Sequence, residues 1–444
     1  MTIFSNYTFL QQINYTINKI LSIKINIYNT FYLIIFSLPL VQTELRIRIG
    51  AGWQLYVPLI FLLFVVILKK RKKSFYNYGL TTLILLIITL LSNIFGYFEY
   101  KDFSLSEGLM QQIHTIEARM LVENVRFISS ILFFLITLYL LRSYQLLLKS
   151  LKIFLYASLF QAIYGIYEFI SKIVFHFLPL LNTKGYSHNT TRLFGTFFEP
   201  SQYGQFMLIS MLSLILYSSL NNIFSQYIKS DLFMKNYKKI LFLFFVTFLL
   251  SLSRAAFLIG FVVLIIYFLS SITSIKRLLR LVIFLSFVSL SFYIYLSSVL
   301  TQTEYENWTY LLTSDTGNGL IARIYSIFDY FSSVTYYIYS HPFGIGNGLA
   351  MLENGMLPFF FRLPMESGLI IFLSYLLFVF LILLRNEIYT KNKIIKLSIF
   401  MLLTGILISQ LNYSSTNDPW IWFLLALLYR APKLIRKEQI INVK

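Results

Sequence analysis

Cysteine is absent from all 444 residues, which removes disulfides, thiolate metal sites and cysteine nucleophiles together. Charge is nearly as scarce. Only 12% of residues are charged, against roughly 25% in a soluble domain, so the chain cannot dress a water-facing surface of ordinary size. The strict apolar/polar alternation of an outer-membrane barrel is missing as well. Residues 1–30 lack a small-residue cleavage site, so they are expected to persist as an amino-terminal tail and not as a removed signal peptide.

What the chain has is apolar residues, 57% of the total, in blocks such as 79–98 (GLTTLILLIITLLSNIFGYF) and 240–252 (ILFLFFVTFLLSL). A span takes about 20 mostly apolar residues. Lipid satisfies no backbone hydrogen bonds, so such blocks must be helices. The pattern predicts an all-α, polytopic membrane protein with about 12 transmembrane helices. The expected spans are 31–45, 53–68, 79–98, 125–141, 153–171, 202–220, 240–252, 255–270, 281–298, 368–384, 397–411 and 419–429.

The hydrophilic breaks alternate in composition. Residues 1–30, 69–73, 142–152, 221–239, 275–280, 385–396 and the tail 430–444 hold 26 of the 37 Lys and Arg residues. Short cytoplasmic loops are enriched in these residues, which places both termini in the cytoplasm. The other side receives 43–52, 99–124, 172–201, the turn near Arg254, the long stretch 299–367 and 412–418. All four histidines fall on that side or at its membrane edge. Eight of the 11 basic residues there are Arg, whereas the inner set is 19 Lys and 7 Arg. A guanidinium grips phosphate or carboxylate in bidentate fashion and an ammonium does not, so a site facing outward is expected. Snorkelling at the bilayer edge accounts for part of the Arg excess. The net charge of +19 suits anionic headgroups of the bilayer. Basic residues spread over seven short loops do not form the single patch of a nucleic-acid binder.

Three segments carry candidate chemistry. Residues 190–206 (TTRLFGTFFEPSQYGQF) set Arg192, Gly195 and the carboxylate of Glu199 before a helix opening at Pro200. Helix amino-termini favour anions, while the plainer reading is a capped helix start. Residues 251–256 (SLSRAA) put Arg254 between two apolar helices, costly unless it is paired or faces a water-filled cavity. Within 299–367, the stretch 321–339 has helical periodicity with Arg323 and Asp329 on polar positions, and 341–348 (HPFGIGNG) is a Gly-rich turn carrying His341. Arg362 and Glu366 follow at helical spacing, with Pro364 predicting a bend between them. Loops of this length are usually lids or binding elements.

In that order, RLFGTFFEPSQYG, LSLSRAAF, HPFGIGNG and ESGLIIFLSYLL resemble the core of the O-antigen polymerase and O-antigen ligase superfamily of bacterial membrane glycosyltransferases. The resemblance covers residues 190–385. It implies a membrane core over 190–429, with the external loop 299–367 containing short helices, preceded by transmembrane helices within 31–189. It also implies transfer of a glycan from an undecaprenyl-diphosphate-linked oligosaccharide outside the cytoplasm, with neither metal nor cofactor and with a chain-length regulator as a partner. Ligases of this type carry a His-Asn pair shortly before the Gly that opens the next span. Here Leu357-Pro358 precede Gly368 instead, which favours a polymerase of O-antigen, capsule or exopolysaccharide repeat units in the bacterial cytoplasmic membrane over a ligase.

On this reading Arg192 and Arg254 hold the diphosphate and stabilise charge as the glycosidic bond breaks. Glu199 is the first choice of base for the acceptor hydroxyl, with Glu366 and His341 behind it. Arg323, His341, Arg362 and Glu366 bind substrate. No Asp-x-Asp motif occurs, consistent with metal independence. A lipid-linked oligosaccharide flippase is the rival of another class. It is expected to show repeat symmetry between halves, and none is legible.

Overall fold

The computed structural model describes residues 26–40, 54, 56–69, 87–89, 91–98, 116–175, 193–197, 199–223, 231–271, 330, 332–347, 349–350, 358–412 and 418–443. Among them every regular element is a helix. These are α1 (Ile27–Ser37), α2 (Tyr56–Lys69), α3 (Ile116–Leu140), α4 (Tyr144–Ile173), α5 (Pro200–Ile223), α6 (Leu232–Lys235), α7 (Tyr237–Leu250), α8 (Arg254–Ser271), α9 (Phe359–Tyr389), α10 (Lys393–Asn412) and α11 (Pro419–Val443). Residues 87–89, 91–98 and 332–340 are also helical.

Local chemistry sets where the helices start. The Asn26 side chain accepts hydrogen bonds from the Tyr28 and Asn29 N–H groups at the head of α1. Ser143 does the same for α4, Ser253 for α8 and Asn392 for α10. Each satisfies an N–H with no partner within its helix. Pro200 and Pro419 open α5 and α11, where a missing N–H costs nothing.

Five described helical stretches are long and apolar enough to cross a membrane: Met120–Leu140, Tyr144–Lys172, Pro200–Asn222, Phe359–Tyr389 and Lys393–Leu411. Of these, α5 is the most enclosed, with 78% of its apolar window buried against 33% for α9. It packs against α4, α7, α8 and α10, while α11 packs against α3, α9 and α4. Small and hydroxyl residues allow the close approaches. Gly405 of α10 faces Leu212 and Ile209 of α5, and Ser210 donates to Ser158 at 2.8 Å between α5 and α4. Such contacts drive helix association where lipid is as apolar as the side chains.

Among the described residues, the basic breaks 142–152, 231–239, 385–396 and 430–443 gather at one end of the bundle. There Arg430 of α11 donates to the Leu138 carbonyl near the end of α3 (Nε, 2.9 Å). Arg385 of α9 lies 3.6 Å over the Tyr429 ring, and Asn386 donates to the Lys396 carbonyl. Lys152 pairs with the buried Asp231 at 2.8 Å, whose other oxygen accepts from Tyr217. The starts of α5, α9 and α11 lie at the opposite end, where Trp420 meets Phe206 and Trp422 meets Phe359.

Several boundaries differ from the sequence expectation. The span expected at 125–141 begins at Ile116, and the one at 31–45 ends as a helix at Ser37, before Pro39. The helix expected at 368–384 begins at Phe359, so the last part of the stretch 299–367 is helical and buried within the protein instead of a soluble loop. The expected bend at Pro364 is not where the helix breaks. The break falls at Gly368 (φ 83°, ψ 169°), a conformation essentially reserved for glycine. The expected span 281–298 lies outside the described residues.

Candidate active site

Two polar knots form at the end where α5, α9 and α11 start. The first joins the segments around Gly195 and Arg254. The Leu193 N–H donates to the Leu250 carbonyl at 3.2 Å, tying the chain before α5 to the end of α7. Gly204 of α5 sits so close to the α7–α8 turn that a Cβ there would lie 2.5 Å from Ser251 Oγ. That turn carries Leu252, buried and at φ +46°. A large side chain in left-handed backbone is strained, and such strain gathers at functional sites.

The same segment rests on α4. Glu168, fully buried, accepts hydrogen bonds from the N–H groups of Phe194 (3.2 Å) and Gly195 (2.7 Å) and pairs with Lys172. Gln161 donates to Thr196 Oγ1 at 2.8 Å, and that hydroxyl donates to the Pro39 carbonyl at 2.5 Å. Gly195 takes φ +58° under the Tyr203 ring, where a Cβ would stand 2.5 Å from the ring edge.

The second knot is built on the break in α9. A break leaves helix carbonyls without their usual partners, and the Gly-rich turn supplies them. Ile345 N–H donates to Met365 C=O (2.8 Å) and Gly346 N–H to Glu366 C=O (3.0 Å), while Leu369 N–H donates back to Pro342 C=O (3.1 Å). Ser92 bridges the two, donating to Glu366 C=O at 2.5 Å and accepting from Gly346 N–H at 3.1 Å. Irregular backbone beside lipid is tolerated only when protein satisfies it in this way. Asn347 then locks the turn to two further helical stretches. Its N–H donates to Asn93 Oδ1 (3.0 Å), its amide to Asn124 Oδ1 (2.9 Å), and its own Oδ1 accepts from Ser367 (3.0 Å).

Beside this turn lies a chain of four charges. Arg362, 4% exposed, makes a 2.7 Å charge contact with Glu366 through Nε, and its NH2 reaches Glu123 of α3 at 3.4 Å. Arg126 pairs with Glu123 at 2.8 Å. Glu123, Phe127, Asn347, Arg362, Leu363, Glu366 and Ser367 line a narrow cleft that, closed as it is, has no room for a water molecule.

The candidates named from sequence divide accordingly. Arg362 and Glu366 are brought together, and His341 opens the turn beside them, its ring nitrogen Nδ1 2.8 Å from Ser340 Oγ. Glu199 sits at the head of α5, where its carbonyl accepts from Tyr203 N–H and its side chain accepts from Ser201 at 2.9 Å. Arg254 opens α8, but its side chain lies outside the described part, as do Arg192 and Arg323 altogether. Sequence reasoning missed Glu123, Asn93, Asn124, Gln161 and Glu168. Their signal was a polar side chain within an otherwise apolar helix. No family model matches the chain, and neither does any curated protein.

Proposed function

We propose that this chain is a polymerase that joins undecaprenyl-diphosphate-linked oligosaccharide repeat units into a bacterial surface polysaccharide. The reading takes the membrane as the cytoplasmic membrane, crossed by about 12 helices, with both termini inside and the two polar knots facing outward. The observation that carries it is the tie between Leu193 and Leu250, which joins the segments of Arg192, Glu199 and Arg254 although they lie in separate parts of the sequence. In the reaction the acceptor sugar hydroxyl attacks the anomeric carbon of the donor glycan, and the bond from that carbon to the diphosphate oxygen breaks. Glu199 takes the hydroxyl proton. Arg192 and Arg254 hold the departing lipid diphosphate, whose negative charge grows as the bond breaks. Arg323, His341, Arg362 and Glu366 form the substrate-binding side, whose cleft must widen to admit a sugar.

The test is the glycan profile of a deletion strain complemented with wild type, Arg192→Ala, Arg254→Ala or Glu199→Gln at matched protein abundance. Accumulation of single lipid-linked repeats on deletion, unrelieved by the three variants, is the expected result. Accumulation of long lipid-linked polymer makes the protein a ligase, and single repeats held on the cytoplasmic face make it a flippase. Either outcome ends the polymerase reading.

A further inference from the structure

Helix α4 carries a stripe of residues spaced to lie on one helical face, and each of them touches the segment that leads into α5 or the first turn of α5 itself. Gln161 holds Thr196 through both amide atoms (2.8 and 3.3 Å). Gly165 leaves room for Tyr203, whose hydroxyl oxygen would stand 2.0 Å from a Cβ placed there. Glu168 takes the N–H groups of Phe194 and Gly195, and Lys172 both pairs with Glu168 and lies 4.6 Å over the Phe194 ring. Successive N–H groups converging beside a residue in left-handed backbone form an anion-binding concavity. In many proteins such a concavity binds a phosphate. Here a carboxylate of the chain itself fills it.

We propose that Glu168 is a positioning residue for glycan transfer: its carboxylate fills the concavity at Phe194 and Gly195 and so fixes the segment that carries Arg192 on one side and Glu199 on the other. This rests on the polymerase reading for its consequence, though not for its geometry. Two further points support it. Burying a carboxylate among apolar helices is expensive unless it is paired and hydrogen-bonded, and a bundle needing only packing is served at that position by an apolar side chain. The contacts are also directed at backbone N–H groups, so they fix the path of the segment whatever side chains it bears. Substrate phosphate is thereby kept out of this concavity and left to the arginines.

The absence of cysteine makes the test clean, because a single introduced thiol is the only one present. Full-length protein carrying Ser201→Cys is purified in detergent with Glu168 intact, as Glu168→Gln and as Glu168→Asp, and the rate of maleimide labelling is measured. Lys391→Cys, at the far end of the bundle, serves as the control position. Transfer is assayed on the same Glu168 variants without added cysteine, using as probe the lipid-linked repeat unit extracted from the deletion strain. The expected result for Glu168→Gln is labelling at position 201 faster by on the order of tenfold, as for loss of a charge-assisted hydrogen bond. Labelling at 391 should stay unchanged while turnover per folded molecule falls by at least a similar factor, and the thermal midpoint should fall as Lys172 loses its counter-ion. Glu168→Asp, which keeps the charge but shortens its reach, should fall between the two and supplies the comparison if Glu168→Gln does not fold. Unchanged labelling and turnover in a folded variant overturn the proposal. If wild type itself fails to extend the probe, the polymerase reading falls, and the labelling rates alone decide whether Glu168 holds the segment.

Discussion

Replacing Arg362 by Met tests whether the second knot is held by charge. The side chains of Arg362 and Glu366 are 5% and 3% exposed, so neither is compensated by water. The four charges of Glu123, Arg126, Arg362 and Glu366 sum to zero. Arg362→Met strips Glu366 of its 2.7 Å counter-ion, whereas Glu123 keeps Arg126 at 2.8 Å. Breaking a buried ion pair by removing one partner costs about 3–5 kcal/mol. At about 2 °C per kcal/mol, the low end of the range for larger domains, the thermal midpoint in detergent should fall by about 6–10 °C. Arg362→Lys keeps the charge but cannot reach Glu366 and Glu123 with separate donors, and should lose part of that. The diagnostic variant is Arg362→Met combined with Glu366→Leu. Exchanging a buried pair for apolar residues of similar size is often neutral, so the double variant should be more stable than Arg362→Met alone, with a coupling of about 1–3 kcal/mol. The midpoint is read from intrinsic tryptophan fluorescence on heating. A double variant that loses the sum of the two single losses refutes the argument, since Arg362 would then contribute packing alone.

Other consequences follow from backbone shape and from the far end of the bundle. Gly368→Ala places a Cβ 2.5 Å from the carbonyl carbon of Phe343 in a backbone conformation that disfavours it, at a cost of about 1–3 kcal/mol. Limited proteolysis should then cut within 341–347 faster than in wild type, and an unchanged rate would show that the turn is not held by the break. Asp231→Ala removes the partner of Lys152 and the acceptor for Tyr217. Because Lys152 keeps some contact with water, the loss should be about 3 kcal/mol, the low end for a buried pair. Turnover per folded molecule should be unaffected at a site on the opposite end, and a selective loss of turnover would contradict that separation.

Much of the helical layout was legible in sequence because lipid leaves the backbone one solution for each long apolar block. The start of α5 was legible too, since Glu199-Pro200 is a local signal read within one turn of chain. The pairing of Arg362 with Glu366 was visible from their spacing, and the grouping of the described breaks 142–152, 231–239, 385–396 and 430–443 at one end from their charge. The extent of α9 was not legible. Pro364 reads as the breaker, yet it lies inside α9, and the break falls instead where Phe343 presses against Gly368.

Tertiary structure alone decided what the polar residues inside the helices are for. Ser92 meets the Glu366 carbonyl across 274 positions of sequence, and Asn93 meets Asn347 across 254. No local pattern carries such a pairing, because composition fixes only that a polar group in an apolar helix must find a partner, never which one. Glu168 makes the same point. Its sequence announces a carboxylate that has to be satisfied, and only the fold reveals that two backbone N–H groups beside Gly195 satisfy it.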